Sequence, residues 1–139
     1  MGQNVSIKSV NFEDIQYIIN NKVKNYIIIN TLSKNNQSLL IKNTISIDNE
    51  EQIINNNINN PSIKIIIYGN NCNDDRIHIK YKQLLSLGFV NVYLYKGGIF
   101  EWLLLQDIYG FELFPTTGKE LDILKYKPQG LFNSKLLGN

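Results

Sequence analysis

Short runs of β-branched and aromatic residues alternate along the chain with longer segments in which apolar residues recur at helical spacing. The runs "NYIIIN" (25–30), "SIKIIIY" (62–68) and "NVYLY" (91–95) predict buried strands, and "NTISI" (43–47) predicts a shorter one. Strands that alternate with helices are typical of parallel sheets with helices packed on both faces. The pattern therefore predicts a three-layer α/β domain with a central, mostly parallel sheet.

The segments between these strands carry helix start and stop signals. Asn11 and Asp75 stand where helix N-caps are expected, and Asp48 with Glu51 three residues later resembles a capping box. Gly88 follows the last apolar position of the third helical segment, where glycine commonly ends a helix. These signals predict three helices, and the apolar segment after Gly98 predicts a fourth.

The periodic pattern stops at Gly110. We therefore predict a domain over residues 1–110, with residues 1–8 as an N-terminal arm, and a C-terminal extension over residues 111–139. The extension contains many apolar residues, which a disordered tail would not leave in water. We expect it to pack on the domain or on a partner, with "GLFNSKLL" (130–137) as the part that binds a partner.

Composition excludes several classes of function. A length of 139 residues with 43% hydrophobic and 19% charged residues indicates one globular domain. The net charge of +2 comes without a basic stripe, so we expect no nucleic-acid partner. A single cysteine cannot form an internal disulfide or a cysteine-based zinc site, and it suits a reducing, cytoplasmic compartment. We expect no metal and no cofactor, because "NCNDD" lacks the spacing of a calcium loop.

The loop "YGNNCNDDR" holds that cysteine and connects the strongest predicted strand to the third predicted helix. In parallel α/β sheets, sites lie at the carboxyl ends of the strands, which is where this loop falls. Its candidate binding residues are Gly69, Asn70, Asn71, Cys72, Asn73, Asp74, Asp75 and Arg76.

This loop, "LGFVNVYLYKGG" and the Trp102 that follows Gly97-Gly98 together resemble the rhodanese-like family. The C-terminal half, with "GGIFEWLLLQDIYG" and "LDILKYKP", is similar to a group of such proteins from giant viruses and protists. The abundance of Asn, Ile and Lys and the absence of Ala fit an AT-rich genome of that kind. The resemblance implies a single domain with a sheet of about five parallel strands.

The resemblance also implies where catalysis would occur. In active members the nucleophilic cysteine is the first loop residue, surrounded by loop amides and the helix N-terminus, which lower the pKa of a thiol. Here Gly69 stands at that position, and Cys72 comes three residues later beside Asp74 and Asp75. The phosphatase variant needs an arginine after five intervening residues, but His78 stands there.

Two interpretations of the chain are therefore open. The first is a catalytically degenerate domain that acts as a binding or scaffold module, with a protein partner or a second copy of itself. The second is a working thiosulfate-type sulfurtransferase in which Cys72 carries the persulfide. A carboxylate at a helix N-terminus is favourable, so an Asp at the anion position favours the first.

The N-terminus carries one more motif. "MGQNVS" fits Met-Gly-x-x-x-Ser, the pattern for myristoylation of Gly2 after Met1 is removed. One myristoyl chain gives only marginal, reversible membrane binding. We therefore expect a weak or switchable attachment to the cytoplasmic face of a membrane, or to a virion if the gene is viral.

Overall fold

The structure is a computed structural model, and it describes residues 7–132. It contains a five-stranded parallel sheet in the order β1-β5-β4-β2-β3. The strands are β1 (Ser9–Val10), β2 (Tyr26–Asn30), β3 (Thr44–Ile45), β4 (Lys64–Tyr68) and β5 (Val92–Tyr95). The helices are α1 (Phe12–Asn20), α2 (Ile47–Asn56), α3 (Arg76–Ser86) and α4 (Gly98–Tyr109). Short 3₁₀ turns lie at Lys34–Asn36 and Ile123–Tyr126.

The sheet separates two hydrophobic cores. One face packs against α1 and α4 through side chains that include Ile15, Trp102 and Leu103. The other face packs against α2 and α3 through Ile54 and Tyr81. Side chains alternate across a strand, so one strand serves both cores. This is the three-layer α/β arrangement with a parallel sheet that the sequence predicts.

The isoleucine runs of β2 and β4 form the centre of the sheet. Ile27, Ile28 and Ile29 pair in parallel register with Ile65, Ile66 and Ile67. All six side chains are buried. Burying one such side chain stabilises the folded state by roughly 1.5–3 kcal/mol. The two central strands therefore make a large contribution to the stability of the fold.

Helix boundaries follow the predicted signals in part. Asn11 caps α1 with a full capping box, and Gly88 follows α3 with a φ of +104°. The capping box predicted at Asp48 is wrong: the N-cap of α2 is Ser46, two residues earlier, and the helix starts at Ile47. Asp75 is the N-cap of α3, but its side chain makes no capping hydrogen bond, and its backbone is already helical with a φ of −71° and a ψ of −15°. The Arg76 amide donates to Asp74 instead.

Strand β1 is an element that the sequence pattern missed. Ser9 and Val10 pair with Leu94 and Tyr95, although two residues are too few to show alternation. Their strand conformation comes from the free edge of β5, which supplies the backbone partners.

The C-terminal extension starts after Gly110, whose φ of +106° ends α4. It crosses the α1–α4 face and adds an antiparallel bridge between Thr116 and Ile41. Phe114 and Tyr126 are buried in the same core as α1 and α4. The extension thus contributes to the core, whereas Leu131 and Phe132 at the end of the described chain are exposed.

Candidate functional site

The candidate loop starts where β4 ends, at the carboxyl edge of the sheet. Gly69 follows Tyr68 directly, and α3 begins at Arg76. The Tyr68 carbonyl accepts from the Thr31 amide at 2.9 Å, which ties the start of the loop to the segment after β2. The fold therefore places residues 69–76 where parallel α/β proteins carry their sites.

The Asp74 carboxylate occupies the inside of this loop. Oδ2 accepts hydrogen bonds from the Asn70 backbone amide at 2.9 Å and the Asn70 side-chain amide at 3.0 Å. Oδ1 accepts from the Arg76 backbone amide at 3.1 Å. The sequence led us to expect an Asp carboxylate or a water where the amides of residues 71–76 converge. The structure has the Asp74 carboxylate inside the loop, but only one of its two backbone donors lies in that range. The donating backbone amides are those of Asn70 and Arg76.

The Arg76 guanidinium completes this arrangement. Nε and Nη2 each lie 3.1 Å from an oxygen of Asp74, a bidentate pair. Partial burial raises the pKa of the Asp74 carboxyl, but hydrogen bonds from Arg76 and Asn70 outweigh this effect and hold the pKa below its ordinary value. The loop therefore contains its own anion, already neutralised by its own cation.

Cys72 lies outside this arrangement. Its side chain is exposed, and Sγ contacts Asn73 Oδ1 at 3.9 Å. Within the described part of the chain, no loop amide donates a hydrogen bond to Sγ. The Asn70 and Arg76 amides of this loop donate to the Asp74 carboxylate, and the Asn73 and Asp74 amides donate to Asn71.

Helix α4 supports the loop from behind. The Ile99 and Phe100 amides donate to the carbonyls of Gly69 and Asn70 at 3.0 and 2.9 Å. Gly98 has a φ of +71°, and a Cβ there would lie 2.7 Å from the Gly69 carbonyl oxygen. The Gly97-Gly98 pair thus allows the positive end of α4 to approach the loop backbone.

The C-terminal extension supplies a wall that sequence reasoning missed. Asn71 Nδ2 donates to the Tyr126 carbonyl at 2.8 Å. A cleft of about 430 Å³ lies between the two segments and is lined by loop residues together with Lys127 and Gln129, but not by Cys72. No local pattern could have revealed this wall, because 55 positions separate Asn71 from Tyr126.

Two further features of the described chain bear on the site. Among residues 7–132 no group of three His, Cys, Asp or Glu side chains is placed to hold a metal ion. No helix in that range is long and apolar enough to cross a bilayer. The predicted lipidation residue, Gly2, lies outside the described residues.

The comparisons with known proteins decide the family. The model of the rhodanese-like domain matches residues 13–105, more than half of the chain. The chain belongs to the rhodanese-like domain family. The matched region contains the whole loop and stops within α4, so the C-terminal extension lies outside it. A search of curated proteins found no match.

Solved structures of the family share the fold. A yeast protein described as a tyrosine phosphatase of the rhodanese family is 12% identical, with a TM-score of 0.60 over 87% of this chain and 99% of that one. The rhodanese-like domain of an Anabaena protein is 20% identical, with a TM-score of 0.54 over 91% and 88% of the two chains. A thiosulfate sulfurtransferase from Pseudomonas aeruginosa is 20% identical, with a TM-score of 0.56 over 70% of this chain and 19% of that one.

Proposed function

We propose that this rhodanese-like domain is catalytically degenerate and serves as a binding or scaffold module. The observation that carries the proposal is the position of the Asp74 carboxylate, which accepts the Asn70 and Arg76 amides inside the loop. A thiosulfate or persulfide anion would need the same donors. A carboxylate held by amides and an arginine would have to leave before another anion could enter.

The absence of a side chain at Gly69 supports the same proposal. A Cβ at this position would lie 2.6 Å from Asp74 Oδ2 and 2.8 Å from Thr31 Oγ1. The loop is therefore packed around a glycine, and a nucleophile at the first loop position, where active members carry theirs, would require the Asp74 and Thr31 side chains to shift. The loop holds an internal ion pair between Asp74 and Arg76 where a substrate anion would have to bind.

The alternative is a sulfurtransferase that uses Cys72, and its exposed free thiol favours this candidate. In that reaction the Cys72 thiolate would attack the outer sulfur of thiosulfate, forming a persulfide and releasing sulfite. Cyanide would then take the sulfur as thiocyanate and regenerate the thiolate. The chain would have to perform this chemistry with a thiol that receives no hydrogen bond from a loop amide.

One assay separates the two candidates. The protein is incubated with thiosulfate and cyanide, thiocyanate is measured, and intact mass is recorded for a one-sulfur adduct, with Cys72→Ser as the matched control. The degenerate module gives no thiocyanate above the blank in either protein. Turnover and an adduct that both disappear in Cys72→Ser would contradict the proposal and establish the sulfurtransferase.

As a binding module the chain would act on a protein partner, or on a second copy of itself. The exposed Leu131 and Phe132 support the view that the segment from Gly130 onward contacts such a partner. A myristoyl group on Gly2 would add a weak attachment to the cytoplasmic face of a membrane. An origin among giant viruses or protists is part of the same proposal and rests on the sequence resemblance and the composition.

A further inference from the structure

The C-terminal extension consists of two parts that are held very differently. In the first part, the Pro115 carbonyl accepts from the Lys42 amide at 3.1 Å and from Trp102 Nε1 at 3.1 Å. The Thr117 amide donates to the Leu40 carbonyl at 2.8 Å. Backbone hydrogen bonds to Leu40 and Lys42, together with a side-chain hydrogen bond from Trp102 of α4, fix this part to the domain.

The second part, Lys119–Gln129, is here named the strap. Its ion pair, between Glu120 and Lys125 at 2.7 Å, is internal. Within Lys119–Gln129, one hydrogen bond reaches the body of the domain, and it is the 2.8 Å bond from Asn71 Nδ2 to the Tyr126 carbonyl. The other main attachment is the Tyr126 side chain, which is 2% exposed. Ile123 is partly buried against the same core. The strap is therefore held by the buried Tyr126 ring, the partly buried Ile123 side chain and one hydrogen bond to the loop.

Asn71 connects the strap to the hydrogen bonds within the loop. While Nδ2 donates to Tyr126, Oδ1 of the same carboxamide accepts from the Asn73 amide at 2.9 Å. The Asn71 carbonyl accepts from the Asp74 amide at 3.2 Å. A planar carboxamide with both ends bonded has a fixed orientation, and loss of the strap bond leaves it held by the Asn73 amide alone. The loop conformation is then coupled to the position of the strap.

We propose that the strap is a releasable latch on the rhodanese-like loop, with Tyr126 as its plug and Asn71 as the link between the two. When Tyr126 is docked, the loop is ordered around Asp74 and the cleft has its second wall, which carries Lys127 and Gln129. When Tyr126 leaves, the cleft loses that wall and the loop loses the bond that orients Asn71. This device does not depend on whether the loop binds a partner or transfers sulfur.

The test is hydrogen exchange of the loop amides in three full-length variants. Asn71→Asp keeps the acceptor for Asn73 and removes the donor to Tyr126, whereas Tyr126→Ala removes the plug. Asn73→Asp is the matched control, because it adds the same charge to the same loop without touching the strap. Amides of β4 and α1 report whether the domain as a whole remains folded.

We expect exchange at the Asn73 and Asp74 amides to accelerate at least tenfold in Asn71→Asp and in Tyr126→Ala. It should stay within twofold of the parent in Asn73→Asp, with β4 and α1 unchanged in all three. Loop exchange within twofold of the parent in both strap variants would overturn the proposal. So would equal acceleration in Asn73→Asp, since charge alone would then explain it. Acceleration throughout β4 and α1 in both Tyr126→Ala and Asn71→Asp would also overturn it, because the strap would then be required for the fold as a whole and not for the loop.

Discussion

Asp74 Oδ2 lies 2.6 Å from the point where a Cβ on Gly69 would sit. The first residue of the loop and the carboxylate that fills the loop are therefore mutually dependent. A side chain at position 69 requires the carboxylate to move, and the carboxylate in its place requires glycine.

This dependence predicts a non-additive pair of substitutions. Gly69→Ala should destabilise the fold by about 1–3 kcal/mol, the usual cost of overpacking a filled site. In an Asp74→Ala background the same change should cost at least about 0.5 kcal/mol less, because contacting residues couple. Urea unfolding of the two single variants and the double variant measures the coupling. Strict additivity would show that the carboxylate and Gly69 do not compete for space.

The Asp74 carboxyl also predicts a pH dependence of stability. Its pKa is lower in the folded state than its ordinary value, so its stabilising effect is complete above that ordinary value, about 3.9. The effect is lost as the pH falls through the lower folded-state pKa. Asp74→Asn should be less stable than the parent by roughly 1.5–3 kcal/mol at pH 7, the usual contribution of hydrogen bonds to a charged group.

The measurement is chemical denaturation of the parent and Asp74→Asn from neutral pH to acid. The difference in the free energy of unfolding should shrink below about pH 4, as the parent carboxyl takes up a proton. Asp75→Asn is the matched control, because within the described chain the Asp75 side chain makes no hydrogen bond. A constant difference across the pH range would contradict the role assigned to the Asp74 charge.

Substitution of Gly98 should destabilise the fold for two reasons, because both its φ and its surroundings require glycine. Gly98→Ala adds a Cβ 2.7 Å from the Gly69 carbonyl oxygen and 2.8 Å from the Asn71 amide nitrogen, in a residue whose φ is +71°. We expect a loss of more than about 2 kcal/mol, since left-handed backbone alone costs about 1–2 kcal/mol.

Gly88→Ala is the control for the backbone contribution. Gly88 has a φ of +104°, and a Cβ there would meet nothing within 4 Å. Thermal unfolding of both variants should rank Gly98→Ala as clearly the more damaging. Equal melting temperatures would mean that the close approach of α4 to the loop does not limit residue 98.

The N-terminal motif predicts an acylated protein. Co-expression with an N-myristoyltransferase and myristate should add the mass of one myristoyl group to the parent after removal of Met1, and none to Gly2→Ala. Because one chain gives only marginal binding, the acylated protein should associate reversibly with lipid vesicles. An unmodified parent under conditions that modify a known substrate would remove the membrane part of the proposal.

The local sequence pattern was sufficient to predict those strands and helices whose signals lie within their own residues. Runs such as "KIIIY" form buried strands when helices cover both faces of the sheet. Asn11 and Asp14 cap α1 through hydrogen bonds between residues three positions apart. The parallel direction of the strands also follows from the alternation of strands and helices along the chain. For the same reason, the sequence alone places the loop after Tyr68 at the carboxyl edge of the sheet.

The tertiary structure decided what depends on distant partners. Strand β1 exists because β5 leaves an edge for Ser9 and Val10, and neither residue signals a strand by itself. The choice of Asp74 as the carboxylate inside the loop depends on the space left by Gly69 and on the Arg76 guanidinium. Tyr126 reaches Asn71 from an extension whose first half is fixed to Leu40 and Lys42. Hydrogen bonds and packing between residues far apart in sequence leave no periodicity to detect, so the wall of the cleft could only be found in three dimensions.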